Sequence, residues 1–595
     1  MENQLTLIAL SAILILGIGS QWLASRLRIP SILLLLVAGI IAGPVTQLIL
    51  PADLFGDLLL PVVSIAVAII LFEGAMTLRV ADLKVIGRPL FMLLTVGVVV
   101  TWALTALSGY YVLGFGVGEA VLLGSILTVT GPTVVSPMLQ HIRPIGKVGP
   151  LARWEGIVVD PVGAVAAVLT FAALRVGESG RLRDTLSHGA GGFLATFVIG
   201  TVLGLLAAWF LREVLKRHLV TEHLDSPVAL GLVILTFTTA NVLHHEAGLV
   251  AVTVMGLVLA NQHAVSVSQI INFKENLTVL LIGSLFVILT ARLNINSVLE
   301  FGWRGLAFLA VMILLVRPIS VMLSTIGCGM PFRERVFLSW LAPRGIVAAA
   351  VASVFSADME NGDRFVAAVF IVILGTVVVY GLSAARVATK LGLSVANPQG
   401  VLIASAHPGA RAIASALLGV GIPVRVVDTN RDNIKAAQME GIPTFFGNIL
   451  SEDVDEMDLG GIGRFFAMTA NTEVNLLAIQ RCTELFPRKE CYRLSIPIAA
   501  SSQRDVGREA LVGRVLFSNE ATYEELDQRF SREATVKATK LSEEFTVDDF
   551  YVKYPDALLL FLADSNGNLT VCTTDSETVP TSDHTMIALV MPEGC

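Results

Sequence analysis

The sequence predicts a polytopic α-helical membrane domain followed by a cytosolic Rossmann-like α/β domain and a small strand-rich C-terminal lobe. Three observations carry that expectation. Apolar runs succeed one another to about residue 390, and the whole chain has mean hydropathy +0.75 with only 15% charged residues, outside the soluble globular range. The composition then turns abruptly charged and mixed after Lys390, with an acidic cluster at Glu452, Asp453, Asp455 and Glu456. The tail opens on an apolar strand at 401–403, a turn, an Ala-rich helix near 410–418 and a second strand at 424–427 ending in Asp428, the start of a Rossmann unit. The expected domains are 1–390, 398–525 and 530–595.

A helix needs about 20 residues to cross about 30 Å of hydrocarbon, and by that rule about thirteen windows qualify. They run from 4–24 to 365–386, with the fifth at 117–140, the sixth at 150–174, the eleventh at 304–327 and the twelfth at 335–356. Alternate connections carry Arg26 and Arg28, then Arg79, Lys84 and Arg88, then Arg143 and Lys147, then Arg212, Lys216 and Arg217, which places them in the cytosol. Arg175, Arg181 and Arg183 run against that rule. An odd number of spans then puts the N-terminus outside and the tail inside. The opening residues Met1 to Gln4 lack the basic region of a signal peptide, so the first apolar stretch stays as a membrane helix. The five cysteines form no C-x-x-C pair and suit a reducing cytosol. No basic stripe with interleaved aromatics points to nucleic acid, and the tail shows no nucleophile and base pair that would suggest an enzyme.

A charge at mid-bilayer costs on the order of 2.5 to 3.5 kcal/mol, so each one needs a reason. The sixth window carries Glu155 and Asp160, whose five-residue spacing puts them about 140° apart on a helix and about 7.5 Å apart along it. They cannot share one partner. Glu155 reads as half of a structural ion pair near the cytosolic end, and Asp160 as the deep acid of an ion site. Two windows are broken in their middles, the fifth at Thr128-Val129-Thr130-Gly131-Pro132-Thr133 and the twelfth at Leu341-Ala342-Pro343-Arg344-Gly345. Such breaks free backbone groups that only a polar cavity can satisfy, and a pair of them marks a midplane binding site. The oxygens expected around a monovalent cation are those of Asp160, Thr130 and Thr128, with nearby carbonyls and water.

Taken in order, Leu71-Phe72-Glu73-Gly74, the Thr130-Gly131-Pro132 break, Glu155 through Asp160 and Trp340 through Gly345 resemble the NhaP-like branch of the cation/proton antiporter superfamily. The resemblance implies two broken helices crossing within inverted repeats, a homodimer in a bacterial inner membrane, and electroneutral one-for-one exchange of Na⁺ or K⁺ for H⁺ by alternating access. It implies that Asp160 takes cation and proton in turn, that Thr130 contributes at the crossing, and that Glu155 pairs with Arg344. Two positions depart from the family's pattern: Val159 stands where Asn or Asp is usual, and Gly131 where Asp is usual. The alternative is a glutathione- or nucleotide-gated K⁺ efflux system.

The tail is similar to the regulatory Rossmann domain of potassium transport and channel-gating proteins, through Gly447-Asn448 and Asn471 to Leu477. Its phosphate loop departs from G-x-G-x-x-G. Ala404-Ser405-Ala406-His407-Pro408-Gly409 keeps only Gly409, and methyl groups stand where the backbone should approach a pyrophosphate. Asp428 is placed for a ribose hydroxyl, or equally as a turn residue. The loop therefore predicts weak or no NAD(H) binding and no required cofactor, leaving a dimerising gate or another regulatory nucleotide held in a different pose.

Overall fold

The computed structural model describes residues 2–592 except 28, 143, 178–181, 263, 266, 357, 358, 360, 395–397, 452, 453, 455, 456, 458, 484, 497–512, 566, 576–579 and 583. The acidic cluster named above and the basic Arg28, Arg143 and Arg181 lie outside the described residues. The chain divides into two compact units, Met1–Ser394 and Val395–Cys595.

The first unit is helical. Among the described residues, eight helices are long and apolar enough to cross a membrane, and five shorter apolar helices of 10–17 residues accompany them. Every window read from the sequence holds one of these helices. Packing follows membrane rules, in which small residues let backbones close on one another. Gly200 and Gly204, one turn apart in Leu182–Lys216, lie so near Ala247–Ala260 that a methyl on either would meet the carbonyl oxygen of Ala247 or Ala251 at 2.7 or 2.4 Å. The fifth and twelfth windows are each split into two half-helices. The first pair is Val117–Ile126 and Pro132–Ile142, and the second is Phe332–Ser339 and Ile346–Ser356. Pro132 opens its half-helix, where a missing N–H costs nothing and the ring pre-sets φ.

The second unit is built on two sheets. Strands β1 (Gly400–Ala404), β2 (Val424–Asp428), β3 (Thr444–Phe446), β4 (Ile462–Ala467), β5 (Cys491–Arg493) and β6 (Arg514–Val515) form a parallel sheet in the order β3-β2-β1-β4-β5-β6. That is the doubly wound order of a Rossmann fold. Strands β7 (Thr535–Lys540), β8 (Leu558–Ala563), β9 (Leu569–Val571) and β10 (Thr585–Val590) form an antiparallel sheet in the order β7-β10-β8-β9. Strands β8 and β9 are the hairpin expected around residues 557–573.

The antiparallel sheet is not a lobe apart. Phe466 on β4 stacks on Phe561 on β8 with ring centres 5.7 Å apart, and Leu516 bridges to Thr573. Arg464 Nη2 also donates to the carbonyl of Leu569 at 2.8 Å. The strand-rich segment shares one apolar cluster with the Rossmann strands.

Candidate functional site

The two broken helices meet at their gaps. Gly131 N–H donates to the carbonyl of Pro343 at 3.3 Å, and a Cβ added to Gly131 would stand 2.4 Å from the Cα of Gly345. Only hydrogen fits on both sides of that contact. The glycine at 131 is therefore a demand of this crossing.

Breaking a helix exposes two new ends, each with unsatisfied groups and half of a macrodipole. The negative ends are met by arginines. Arg344 Nη1 donates to the carbonyls of Thr128 and Val129 at 2.9 and 3.0 Å, just beyond the C-terminus of Val117–Ile126. Arg317 Nη2 donates to the carbonyl of Leu338 at 3.3 Å, in the last turn of Phe332–Ser339. The positive ends face an acid. The first turns of Pro132–Ile142 and Ile346–Ser356 line a cavity through Thr133, Ile346 and Val347, and Asp160 lines the same cavity with Gly131 and Leu71.

Asp160 is fully buried, and neither of its carboxylate oxygens has a hydrogen-bonding partner among the described residues. The hydroxyls of Thr130 and Thr133 are likewise buried and unpartnered. Of these residues, Asp160 and Thr133 line the same cavity, and Thr130 immediately precedes the lining residue Gly131.

One expectation changes. Glu155 does not pair with Arg344; it forms a bidentate pair with Arg317, Nη1 to Oε1 at 2.5 Å and Nη2 to Oε2 at 2.9 Å. The reason is position. Arg317 opens the helix Arg317–Ser324, directly after the π-helical turn Met312–Val316, and its fork reaches Glu155 squarely, while Arg344 is engaged by the carbonyls of the fifth helix. The Thr128 hydroxyl donates to the carbonyl of Ser125 at 2.7 Å, and the Thr128 carbonyl accepts from Arg344. Sequence reasoning passed over Arg317 and Thr133. The signal for Arg317 was a guanidinium inside the eleventh window, the same kind of misplaced charge that marked Asp160. Val159 is buried and supplies no oxygen.

In the tail the phosphate loop is filled by its own side chains. Asp428 accepts from the N–H of Ala406 at 2.8 Å, the N–H of Asn430 at 2.8 Å and Asn433 Nδ2 at 3.0 Å, so it acts as a turn and loop clamp. Ser405 takes φ 133°, a conformation that suits glycine, and its Oγ lies 2.9 Å from His407 Nδ1. Burial pushes the His407 imidazole down to about 4, with Asp527 and Asp428 opposing the shift and Arg411 adding to it. Gly409 is a packing glycine, since a Cβ there would meet the Phe530 ring at 2.7 Å.

Comparison with known proteins agrees with both units. Residues 9–390 match the family described as sodium/hydrogen exchanger, transmembrane, and residues 401–510 match the TrkA-N domain. The chain is 27% identical over 381 residues to a Na⁺/H⁺ antiporter of Methanocaldococcus jannaschii, covering 62% of this chain and 88% of that protein. It is 29% identical over 376 residues to a K⁺/H⁺ antiporter of the NhaP type from Shewanella oneidensis, covering 62% of this chain and 64% of that one. A solved structure of the M. jannaschii sodium proton antiporter superposes with TM-score 0.58 at 24% identity, over 66% of this chain and 99% of the other.

Two outcomes follow from this geometry. Arg317→Met leaves Glu155 charged, buried and alone, which costs about 3 to 5 kcal/mol; Arg344→Met strips only carbonyls, at about 1 to 3 kcal/mol. Thermal unfolding in detergent should rank Arg317→Met as the more damaging, and Arg317→Met with Glu155→Leu should recover stability; the opposite ranking would return Glu155 to Arg344. Calorimetry of NAD(H) against the whole protein should show no binding, whereas micromolar affinity that Asp428→Ala destroys would contradict the filled loop.

Proposed function

The chain belongs to the sodium/hydrogen exchanger family, and from that premise we propose that it exchanges a monovalent cation, Na⁺ or K⁺, for H⁺ at Asp160. The observation that carries this reading is a fully buried carboxylate with no protein partner among the described residues, set between the N-terminal ends of two crossed half-helices. A bare charge cannot rest there, because burial without a compensating partner costs several kcal/mol. The acid must hold one positive partner at a time. A proton and a cation compete for it, and exchange follows without either ion touching the other.

Thr130 adds its hydroxyl, and the helix ends add oriented dipoles that steady the carboxylate when neither ion is present during a handover. Arg317, Arg344 and Glu155 shape the site without binding the ion. The relatives' names include both Na⁺/H⁺ and K⁺/H⁺ antiporters, which supports a monovalent cation and leaves its identity to the oxygens at the site. With one acid exchanging one proton for one cation, no net charge moves. In this reading the apolar helices make about thirteen crossings of a bacterial inner membrane, with inverted repeats meeting at the crossing. The N-terminus is outside, the tail is cytosolic, and two copies assemble as a homodimer. The tail acts as a regulatory gate through its TrkA-N domain, with no required cofactor.

Proton movement in inside-out vesicles on addition of Na⁺, K⁺ or Li⁺ tests this directly. The wild-type protein should respond to at least one ion, and Asp160→Asn should abolish the response at unchanged membrane content. Near-normal exchange by Asp160→Asn would place the site elsewhere. On a solid-supported membrane the exchange should give no steady current that scales with potential, since each charge moved would couple to about 2.3 kcal/mol per 100 mV.

A further inference from the structure

Buried threonines in membrane helices satisfy their hydroxyls on their own backbone, and this chain follows the habit. Thr170, Thr236, Thr253, Thr290 and Thr376 each donate to the carbonyl four residues earlier, at 2.5 to 2.7 Å. Thr133 does not. It lies in the first turn of Pro132–Ile142, so the residue four positions earlier, Val129, stands before the helix begins. Thr133 is 8% exposed, its hydroxyl has no partner among the described residues, and it lines the cavity that holds Asp160.

We propose that the Thr133 hydroxyl is a ligand of the transported cation and sets the preference among monovalent ions. This rests on the reading of the Asp160 cavity as the exchange site. A Cβ on Gly131 would point to within 3.5 Å of Thr133 Oγ1, so this hydroxyl occupies the space beside Gly131 into which a side chain at that position would extend. Asp160 and Thr133 line one cavity and do not hydrogen bond to each other, which leaves the oxygens of both open to a cation there. A hard cation needs several oxygens, and Val159 and Gly131 supply no side-chain oxygen. One carboxylate with two hydroxyls also makes a weaker negative field than two carboxylates would, and the strength of that field decides how strongly small, tightly hydrated ions are favoured over larger ones.

The test is exchange in inside-out vesicles titrated with Na⁺, K⁺ and Li⁺, comparing wild type with Thr133→Val and Thr133→Ser. Valine keeps the shape and removes the hydroxyl; serine keeps the hydroxyl. Thr133→Val should raise the half-saturating concentration of the preferred ion about tenfold or more, in keeping with loss of one interaction with a charged group, and should change the order of the three ions. Thr133→Ser should restore both. Unchanged half-saturation and ion order in Thr133→Val would overturn the proposal, and so would a uniform loss of rate that serine does not rescue. Thr133→Ala replaces Thr133→Val if the latter does not accumulate in the membrane; if both fail, the residue is a packing element and the proposal falls. A wild-type protein that responds to no ion would instead sink the exchange reading itself.

Discussion

Glycine on glycine is the contact from which the membrane unit is organised. With a Cβ on Gly131 only 2.4 Å from the Cα of Gly345, the two broken helices can approach this closely only where neither carries a side chain. Closeness has an electrical consequence, because four half-helix ends are drawn into one small region inside hydrocarbon. Each end carries about half an elementary charge. Left uncompensated, they would be as costly there as misplaced ionic groups.

The compensation is ordered by sign. Both negative ends meet guanidiniums, Arg344 at the fifth helix and Arg317 at the twelfth, and each bond is to a carbonyl that the break left free. Arg317 brings excess charge, which Glu155 cancels through two parallel bonds. Both positive ends face Asp160. The arginines therefore serve the frame, and their planar, permanently charged forks suit that work better than a lysine would. What remains open in the cavity is the acid of Asp160 and the hydroxyl of Thr133, neither with a hydrogen-bonding partner among the described residues. Function follows from that residue of unsatisfied oxygen.

Much of this was legible in the sequence. Buried acids and Gly-Pro breaks announce themselves, since hydrocarbon tolerates neither without cause, and so Asp160, Thr130, Gly131, Pro132, Pro343 and Gly345 could be placed before any coordinates. Pairing was harder. The family resemblance pairs Glu155 with Arg344, about 190 residues away, and passes over Arg317, about 160 residues away, because only the packed structure shows which guanidinium reaches the acid. Thr128 and Thr133 look alike in the sequence; only the structure shows that the Ser125 carbonyl engages the first hydroxyl and that the second has no partner among the described residues. In the tail, the loss of glycines at Ala404 and Ala406 was readable, but that Asp428 turns inward to clamp the loop was not. The strand-rich end read as a separate lobe because the continuous apolar run of β8 shows that the strand is buried without showing against what; Phe466 is one of the residues it packs against.

The account depends on one acid that holds either a proton or a cation, and proton release on cation binding measures that most directly. The purified protein in weakly buffered detergent solution is titrated with the transported cation while bound cation and released protons are counted together. One proton released per cation bound, across the pH range in which the protein is active, is the result this structure requires. Cation binding with no proton release, or with two protons released per ion, would contradict it.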